Sequence, residues 1–368
     1  MQAKRVAVAM SGGVDSSVAC LLLKRQGYDV IGLTMKLLPN PPSQDVVRAP
    51  CCTLEMAQDA MRICHSLGIP HYTIDLVEEF DESVILPFVR EYFLARTPNP
   101  CLQCNRAMKF GHLLRKAREL GCDYIATGHY ARVRHRTDSE SRALLMRGVD
   151  RTKDQSYALY QLTQDELEHS LFPLGDLTKE EVRRLARESG LRTADKPESQ
   201  EICFVTGSYR EFLSGRGLEA EPGDIVDTSG KVLGRHAGLP FYTVGQRKGL
   251  GVAGGEPLYV VDLDRARNAV VVGKRSEAYS MGCVVEGLNV IADNRLRDPV
   301  RGICMVRYRG KEVGATMEPL SYRQEEPDSA VIRFDTPEFA VTPGQSAVLY
   351  QDDLVYGGGV IAKRLGKK

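Results

Sequence analysis

The chain is short of several things that would each have fixed its class. None of its apolar runs approaches the roughly 20 residues needed to cross a bilayer, so no membrane span is expected. Net charge is only +1 over 368 residues, which on its own argues for no nucleic-acid partner. Ten cysteines are too few for a disulfide scaffold in a chain of this length. In a reducing compartment they suggest core thiols, a metal site or redox chemistry. Met1-Gln2-Ala3-Lys4-Arg5 runs straight into a strand, so no signal or transit peptide is expected and the protein reads as cytoplasmic. Internal repeats and low-complexity segments are lacking as well. What remains is an ordinary globular composition in a chain long enough for two or three domains.

Local charge is less even than the total. Leu102 to Arg118 carries Arg106, Lys109, Arg115, Lys116 and Arg118 with no acid. His129 to Arg136 is also basic, and Arg295 to Lys311 sets six Lys/Arg against Asp298. Such runs suit phosphates, although a solvated face explains any one of them equally well.

The first two hundred residues alternate strand and helix signals. Strands are expected at Val6–Met10, Val30–Met35, His71–Asp75 and Asp123–Thr127, with helices at Leu54–Leu67 and Phe110–Leu120, each ending at a glycine. This alternation predicts an α/β fold with a doubly wound parallel sheet, whose ligands bind at the carboxyl ends of the strands. Ser11 and Gly128 fall just past two such ends. After about Thr206 short apolar runs separated by glycine turns take over, among them Leu258–Leu263, Ala269–Gly273, Ile303–Tyr308, Ala330–Phe334 and Ala347–Tyr350. They predict two small β domains, the last a β-barrel, with boundaries at 1–205, 206–274 and 275–368. The stretch from Pro39 to Pro50, with four prolines, reads as a mobile loop.

The most informative residues are Ser11-Gly12-Gly13-Val14-Asp15-Ser16-Ser17, lying between a strand and a helix. A glycine turn opening a helix presents backbone N–H groups to an anion, and the missing Cβ atoms let a phosphate come close. The hydroxyls add donors, and Asp15 suits a Mg²⁺ on a pyrophosphate. No lysine follows the glycines, so this is not a Walker A loop. The second signal is Asn99-Pro100-Cys101-Leu102-Gln103-Cys104, a C-x-x-C behind two prolines among basic residues that favour thiolate. The third is Ser199-Gln200-Glu201-Ile202-Cys203-Phe204. No second C-x-x-C completes a zinc site. Cys20, Cys64, Cys283 and Cys304 sit in apolar patterns and read as core thiols, and adjacent Cys51-Cys52 is wrongly spaced for a chelate. If the loop cleaves ATP, as the PP-loop of the ATP pyrophosphatases that it resembles does, its pairing with reactive cysteines suggests sulfur transfer. Adenylation turns a carbonyl oxygen into a leaving group, sulfur replaces it, and a persulfide carries that sulfur.

The loop resembles the PP-loop of the ATP pyrophosphatases. With Thr127-Gly128-His129-Tyr130-Ala131, Lys153-Asp154-Gln155-Ser156-Tyr157, Thr243-x-Gly245-Gln246-Arg247-Lys248-Gly249, Arg307-Tyr308-Arg309 and Pro343-Gly344-Gln345, nearly the whole chain resembles the bacterial tRNA-specific 2-thiouridylases. That family replaces O2 of the wobble uridine of certain tRNAs with sulfur. The resemblance implies a first domain of the adenine nucleotide alpha hydrolase type. It implies ATP binding by Ala9, Met10, Ser11, Gly12, Gly13, Val14, Asp15, Ser16, Met35 and Gly128, with Mg²⁺. It implies that Cys203 carries a persulfide received from a sulfur donor protein (a cysteine desulfurase or sulfur relay), that Cys104 is the nucleophile, and that a Cys104–Cys203 disulfide results. Asn99, Pro100 and Cys101 would touch the target base. His129, Lys153, Asp154, Gln155, Arg307, Tyr308 and Gln345 would contact tRNA. Many members have Asp where this chain has Cys101. That departure leaves two routes open: a persulfide with Cys101 as spectator or acid/base substitute, or an iron–sulfur cluster held by Cys101, Cys104 and Cys203. A different PP-loop ATP pyrophosphatase is the further alternative.

Overall fold

The computed structural model describes residues 3–39, 54–138, 141–196, 202–205, 207, 209–216, 220–252, 256–323 and 326–366. The proline-rich stretch 40–50, Cys51–Cys52, Ser199–Glu201 and the Ala253–Gly255 turn lie outside the described residues. Two compact units form. The first comprises Met1–Ile85, Pro100–Thr206 and Asp353–Val355, the second Leu86–Asn99, Gly207–Asp352 and Tyr356–Lys368.

The first unit is built on a parallel sheet. Its strands are β1 (Arg5–Ala9), β2 (Asp29–Lys36), β3 (His71–Asp75), β4 (Tyr124–Ala126) and, after the hairpin β5 (Ala131–Arg134) and β6 (Leu144–Arg147), β7 (Ser170–Leu171). They lie in the order β3-β2-β1-β4-β7. Val6, Ala7 and Val8 of the central strand have no exposed surface, as expected of a parallel strand covered on both faces. The covering helices are Val14–Arg25, Leu54–Ser66 and Lys179–Glu188, which bury Val18, Leu21, Leu23, Ala60, Ile63, Val182 and Ala186 in one core. Chain direction across the sheet reverses between β1 and β4. Their carboxyl ends therefore flank the crevice where such folds take ligands. The α/β expectation holds.

One helix differs from its expected form. The segment expected from Phe110 is already helical at Pro100, running through Pro100–Gln103, a wide π-wound stretch Cys104–Leu113 and Leu114–Glu119. Proline starts it at no cost, since the first helical N–H has no intrahelical acceptor anyway. The C-x-x-C thus sits on a helix. Two shorter helices, Gln164–Glu168 and Lys179–Glu188, open with capping boxes from Thr163/Glu166 and Thr178/Glu181, a spacing legible in the sequence. The four cysteines read as core thiols are all buried. Burial pushes the thiols of Cys283 and Cys304 up.

The second unit holds two β structures. Strands β8 (Gly223–Asp227), β9 (Val232–His236), β10 (Tyr259–Asp264) and β11 (Ala269–Gly273) form a sheet in the order β10-β11-β8-β9 over Ile225, Leu239, Val260, Val270 and Val272. Strands β12 (Tyr279–Val290), β13 (Val300–Met305), β14 (Val313–Arg323), β15 (Glu326–Phe339), β16 (Ser346–Gln351) and β17 (Leu354–Leu365) run β12-β15-β14-β13-β16-β17. Antiparallel pairing of β12 with β17, Gly282 opposite Leu365, closes the barrel and removes its edges. Val285, Met317, Ile332, Phe334 and Leu349 fill it. The strand expected at Ile303–Tyr308 is instead Val300–Met305. Arg307 to Gly310 turns back on itself, with Gly310 N–H donating to Arg307 O at 2.9 Å and Arg309 at φ +55°.

The barrel also grips a segment from elsewhere in its own unit. Thr97 N–H donates to Pro343 O at 2.8 Å, and the Gln345 amide donates to Thr97 O at 2.7 Å. Gln345 is thus a structural clamp two residues from Asn99. Gln345→Ala should lower the unfolding free energy of the free protein by about 1 kcal/mol, the usual net worth of such a bond. Urea denaturation without tRNA checks this; a side chain that served tRNA alone would leave the midpoint unchanged.

Candidate active site

Strand β1 delivers the chain to Ser11, and the helix Val14–Arg25 begins after Gly13, which is extended at φ −97°, ψ 168°. No side chain caps that helix. Its first-turn N–H groups have no intrahelical acceptors, so an uncapped start is an anion site. The serines organise the turn. Ser11 N–H donates to Ser16 Oγ at 3.2 Å, and Ser17 Oγ donates to Gly13 O at 2.7 Å. Gly12 stands at φ +67°, and a Cβ there would lie 2.5 Å from Met56 O, so both conformation and space demand glycine. Gly128, just past β4, approaches the same helix start. A Cβ on it would lie 2.8 Å from Asp15 C and Ser16 N. Met35, half-buried, is near the carboxyl end of β2.

Asp15 does not stand free. Lys179, the first residue of its helix, donates to both carboxylate oxygens at 2.7 and 2.8 Å, and Tyr130 Oη donates to Oδ1 at 2.8 Å. Lys179 is 11% exposed, so its charge is largely desolvated and needs this partner. For a triphosphate the donor set fits through the uncapped backbone N–H groups and nearby ammonium groups, while the Ser16 and Ser17 hydroxyls donate to Gly13 O. Mg²⁺ takes most of its ligands from phosphate and water and needs one or two carboxylates. Asp15 is the carboxylate the loop supplies, and here it is engaged by Lys179.

The cysteines sit in the same unit. Cys101 is exposed in the turn Pro100–Gln103, and Cys104 is half-buried at the head of the π-wound segment. Cys203 is half-buried in a turn closed by Val205 N–H to Ile202 O at 3.2 Å. Its neighbour Phe204 is buried edge-to-face on Phe80, ring centroids 5.7 Å apart, which anchors the turn. None of the three is in a disulfide. Among the described residues no three His, Cys, Asp or Glu side chains are grouped to hold a metal ion. Cys101, Cys104 and Cys203 are thus not gathered as three ligands in this structure.

Beyond Cys104 a polar chain runs inward. Asn105 donates to Ala158 O at 3.0 Å and accepts from Lys109 at 2.9 Å. Lys109 Nζ lies 3.5 Å from His129 Nε2, and His129 Nδ1 is 2.7 Å from Thr127 Oγ1. His129 is only 8% exposed, so most of its surface is unavailable to a macromolecule. Asp154 accepts from Gly148 N–H and from Ser156, and Gln155 pairs with the backbone of Tyr130 in both directions. Asp154 and Gln155 thereby fix the turn that carries Lys153. Asn99, Arg307, Tyr308 and Gln345 belong to the second unit, where Arg307 pairs with Glu338 at 3.2 Å and Arg309 lies over the Tyr308 ring. Sequence reasoning missed Lys179, although the Thr178 capping box places it at a helix start. It also missed Lys196, which donates to Gly12 O at 3.1 Å and to Asp59 at 2.9 Å and for which no local signal exists.

Burial, and then the Lys109 charge, hold the His129 imidazole well below its usual range, so it stays neutral. The unfolded histidine titrates near 6.5. As pH falls below about 6.5 the unfolded chain takes up a proton that the folded one refuses, and stability drops by up to about 1.4 kcal/mol per pH unit until the folded value is reached. Urea midpoints should fall from pH 7 to 5.5, and less steeply in His129→Gln. Equal slopes would remove His129 as the source.

Family models match the chain from end to end. One described as tRNA methyl transferase HUP domain covers residues 4–207, the tRNA methyl transferase PRC-barrel domain 210–274, and the aminomethyltransferase beta-barrel domain 280–361. Curated relatives named tRNA-specific 2-thiouridylase MnmA are similar over their full length. The Moorella thermoacetica protein is 51% identical over 96% of this chain and 98% of its own. That of Carboxydothermus hydrogenoformans is 49% identical over 98% of each. That of Natranaerobius thermophilus is 46% identical over 100% of each.

Proposed function

This chain belongs to the tRNA-specific 2-thiouridylase family, and from that premise we propose that it replaces O2 of the wobble uridine of tRNA with sulfur, using ATP. The observation that carries the reading is the uncapped helix start at Ser11–Ser17 in the same compact unit as the half-buried thiols Cys104 and Cys203. The uracil O2 attacks the α-phosphorus of ATP, and pyrophosphate leaves toward the N–H groups of the loop. Asp15 would be the protein ligand of a Mg²⁺, which would neutralise phosphate charge when bound. The Cys104 thiolate then attacks the inner sulfur of a Cys203 persulfide, forming the Cys104–Cys203 disulfide and releasing hydrosulfide. Hydrosulfide adds at C2 and AMP departs. The sulfane sulfur is reduced by two electrons and the two thiols are oxidised by two, so the step balances. A thiol reductant returns the disulfide to two thiols by exchange, itself ending as a disulfide, and a sulfur donor protein then recharges Cys203 as the persulfide.

In this reading residues 1–205 carry the chemistry, and 206–274 and 275–368 serve tRNA, through Arg307, Tyr308 and Gln345 among others. Asn99 and Pro100 meet the target base, while Lys153 and Lys109 offer charge to the backbone. His129, Asp154 and Gln155 act on tRNA by holding those lysines and their turn in place. Among the described residues no helix is long and apolar enough to cross a membrane. A tRNA-modifying enzyme meets its substrate in the cytoplasm, which is where we place it.

Nucleoside mass spectrometry of tRNA incubated with protein, ATP, Mg²⁺ and a persulfide source tests the reaction. We expect 2-thiouridine from the wild type and at least a hundredfold less from Cys104→Ala and Cys203→Ala. Thiolation that survives in Cys203→Ala would remove it as carrier. No thiolated nucleoside from the wild type would overturn the substrate. Cys101→Ser tests the departure from the family pattern. An exposed spectator should keep activity within about threefold, whereas a hundredfold loss would make Cys101 part of the chemistry.

A further inference from the structure

Lys196 has no part in the reading above. It follows the helix Lys179–Glu188, its side chain is about one-third exposed, and its ammonium reaches back to the phosphate loop. Nζ donates to the backbone carbonyl of Gly12 at 3.1 Å and to Asp59 Oδ2 at 2.9 Å. Asp59 lies on the helix Leu54–Ser66, whose Met56 carbonyl walls in Gly12 from another direction. The Lys196 hydrogen bond, with Arg62 assisting, holds the Asp59 carboxyl below its ordinary range. A salt bridge with no other business would not need a loop carbonyl as its third member.

The consequence follows from peptide geometry. A trans peptide is planar, with its C=O and the next residue's N–H pointing opposite ways. Holding Gly12 O on Lys196 therefore turns Gly13 N–H to the other side. Flipping this peptide would exchange a donor for an acceptor in the loop and carry Gly13 φ from −97° into the positive region. For most residues that costs about 1–2 kcal/mol, but glycine goes there freely. The Gly12–Gly13 pair, which lets a phosphate approach, therefore also leaves the loop free to turn a carbonyl toward it.

We propose that Lys196 is a positioning residue for the nucleotide: braced by Asp59, it pins the Gly12–Gly13 peptide so that Gly13 N–H faces the phosphates. The proposal rests on the reading of Ser11–Ser17 as the ATP site. It is distinct from a lysine that binds phosphate by charge, and one double-mutant cycle separates the two. A Cβ on Gly13 would meet only Ser11 Oγ, at 3.5 Å, so Gly13→Ala is accommodated in the present conformation while it penalises the flipped one. Binding of the non-hydrolysable analogue α,β-methylene-ATP, measured by calorimetry without tRNA, is the readout.

Lys196→Met should weaken binding about tenfold in the wild-type background. In the Gly13→Ala background the same change should cost threefold or less. Asp59→Asn, which keeps the lysine but removes its brace, should weaken binding in the same direction and be suppressed in the same way, and it serves if Lys196→Met folds poorly. Equal losses in both backgrounds would mean that Lys196 touches phosphate directly and would overturn the pinning role. So would undiminished binding by Lys196→Met. A wild-type protein that takes up no analogue would refute the nucleotide site itself, and the proposal with it.

Discussion

The first unit is organised around one unsatisfied helix end. The start of Val14–Arg25 carries donors with no capping side chain, on a helix packed against the most buried strand of the sheet. No side chain caps that end, and its surroundings hold the turn in shape. Gly128 brings a second strand end into backbone contact, Met56 O closes on Gly12, and the serines tie the turn to itself rather than to the first-turn N–H groups. An anion completes such an arrangement, because the backbone has already met the conformational cost.

Charge at this end is balanced in pairs. A carboxylate at Asp15 stabilises the bare helix start yet would repel a phosphate arriving there. Lys179 cancels that repulsion while Tyr130 orients the oxygens. Lys196 and Asp59 repeat the pairing on the far side of the loop. Both cations sit on or just after one helix, and both acids lie in the first two turns of the helices they serve. Each acid beside the loop is therefore matched by a cation within hydrogen-bond distance.

How much could be read from sequence divides along physical lines. Strong periodicity and punctuation made β1, β2, β3, the helix Leu54–Ser66 and the closed barrel legible, since each follows from local pattern plus burial. The phosphate loop was legible because strand, glycine pair and helix are contiguous. Tertiary partners were not. Lys179 lies 164 positions from Asp15 and Lys196 lies 184 from Gly12, and nothing local marks either as facing the loop. His129 and Gln345 carried motif signals that pointed to RNA, whereas burial in the one case and a backbone clamp in the other give them structural work as well. Of the helical run Pro100–Glu119 only the part from Phe110 was legible, because a π-wound stretch breaks the 3.6-residue pattern on which such readings rely.

Asp353 to Val355, at the start of the last strand, belong to the first unit. Asp353 accepts from Arg132 at 2.6 Å and from Arg151, its carbonyl takes the N–H of Arg147 at 2.8 Å, and Leu354 pairs with Met146. Synthesis runs from the N-terminus at about 5–20 residues per second, so the hairpin β5–β6 waits on the order of ten to forty seconds for the strand that completes it. During that interval Arg132 keeps its bond to the Arg147 carbonyl across the hairpin, but the Asp353 carboxylate and carbonyl that complete the arrangement are not yet made. The first unit is therefore completed by a segment 221 positions downstream of Arg132, so its hairpin matures only after the intervening β structures have been made.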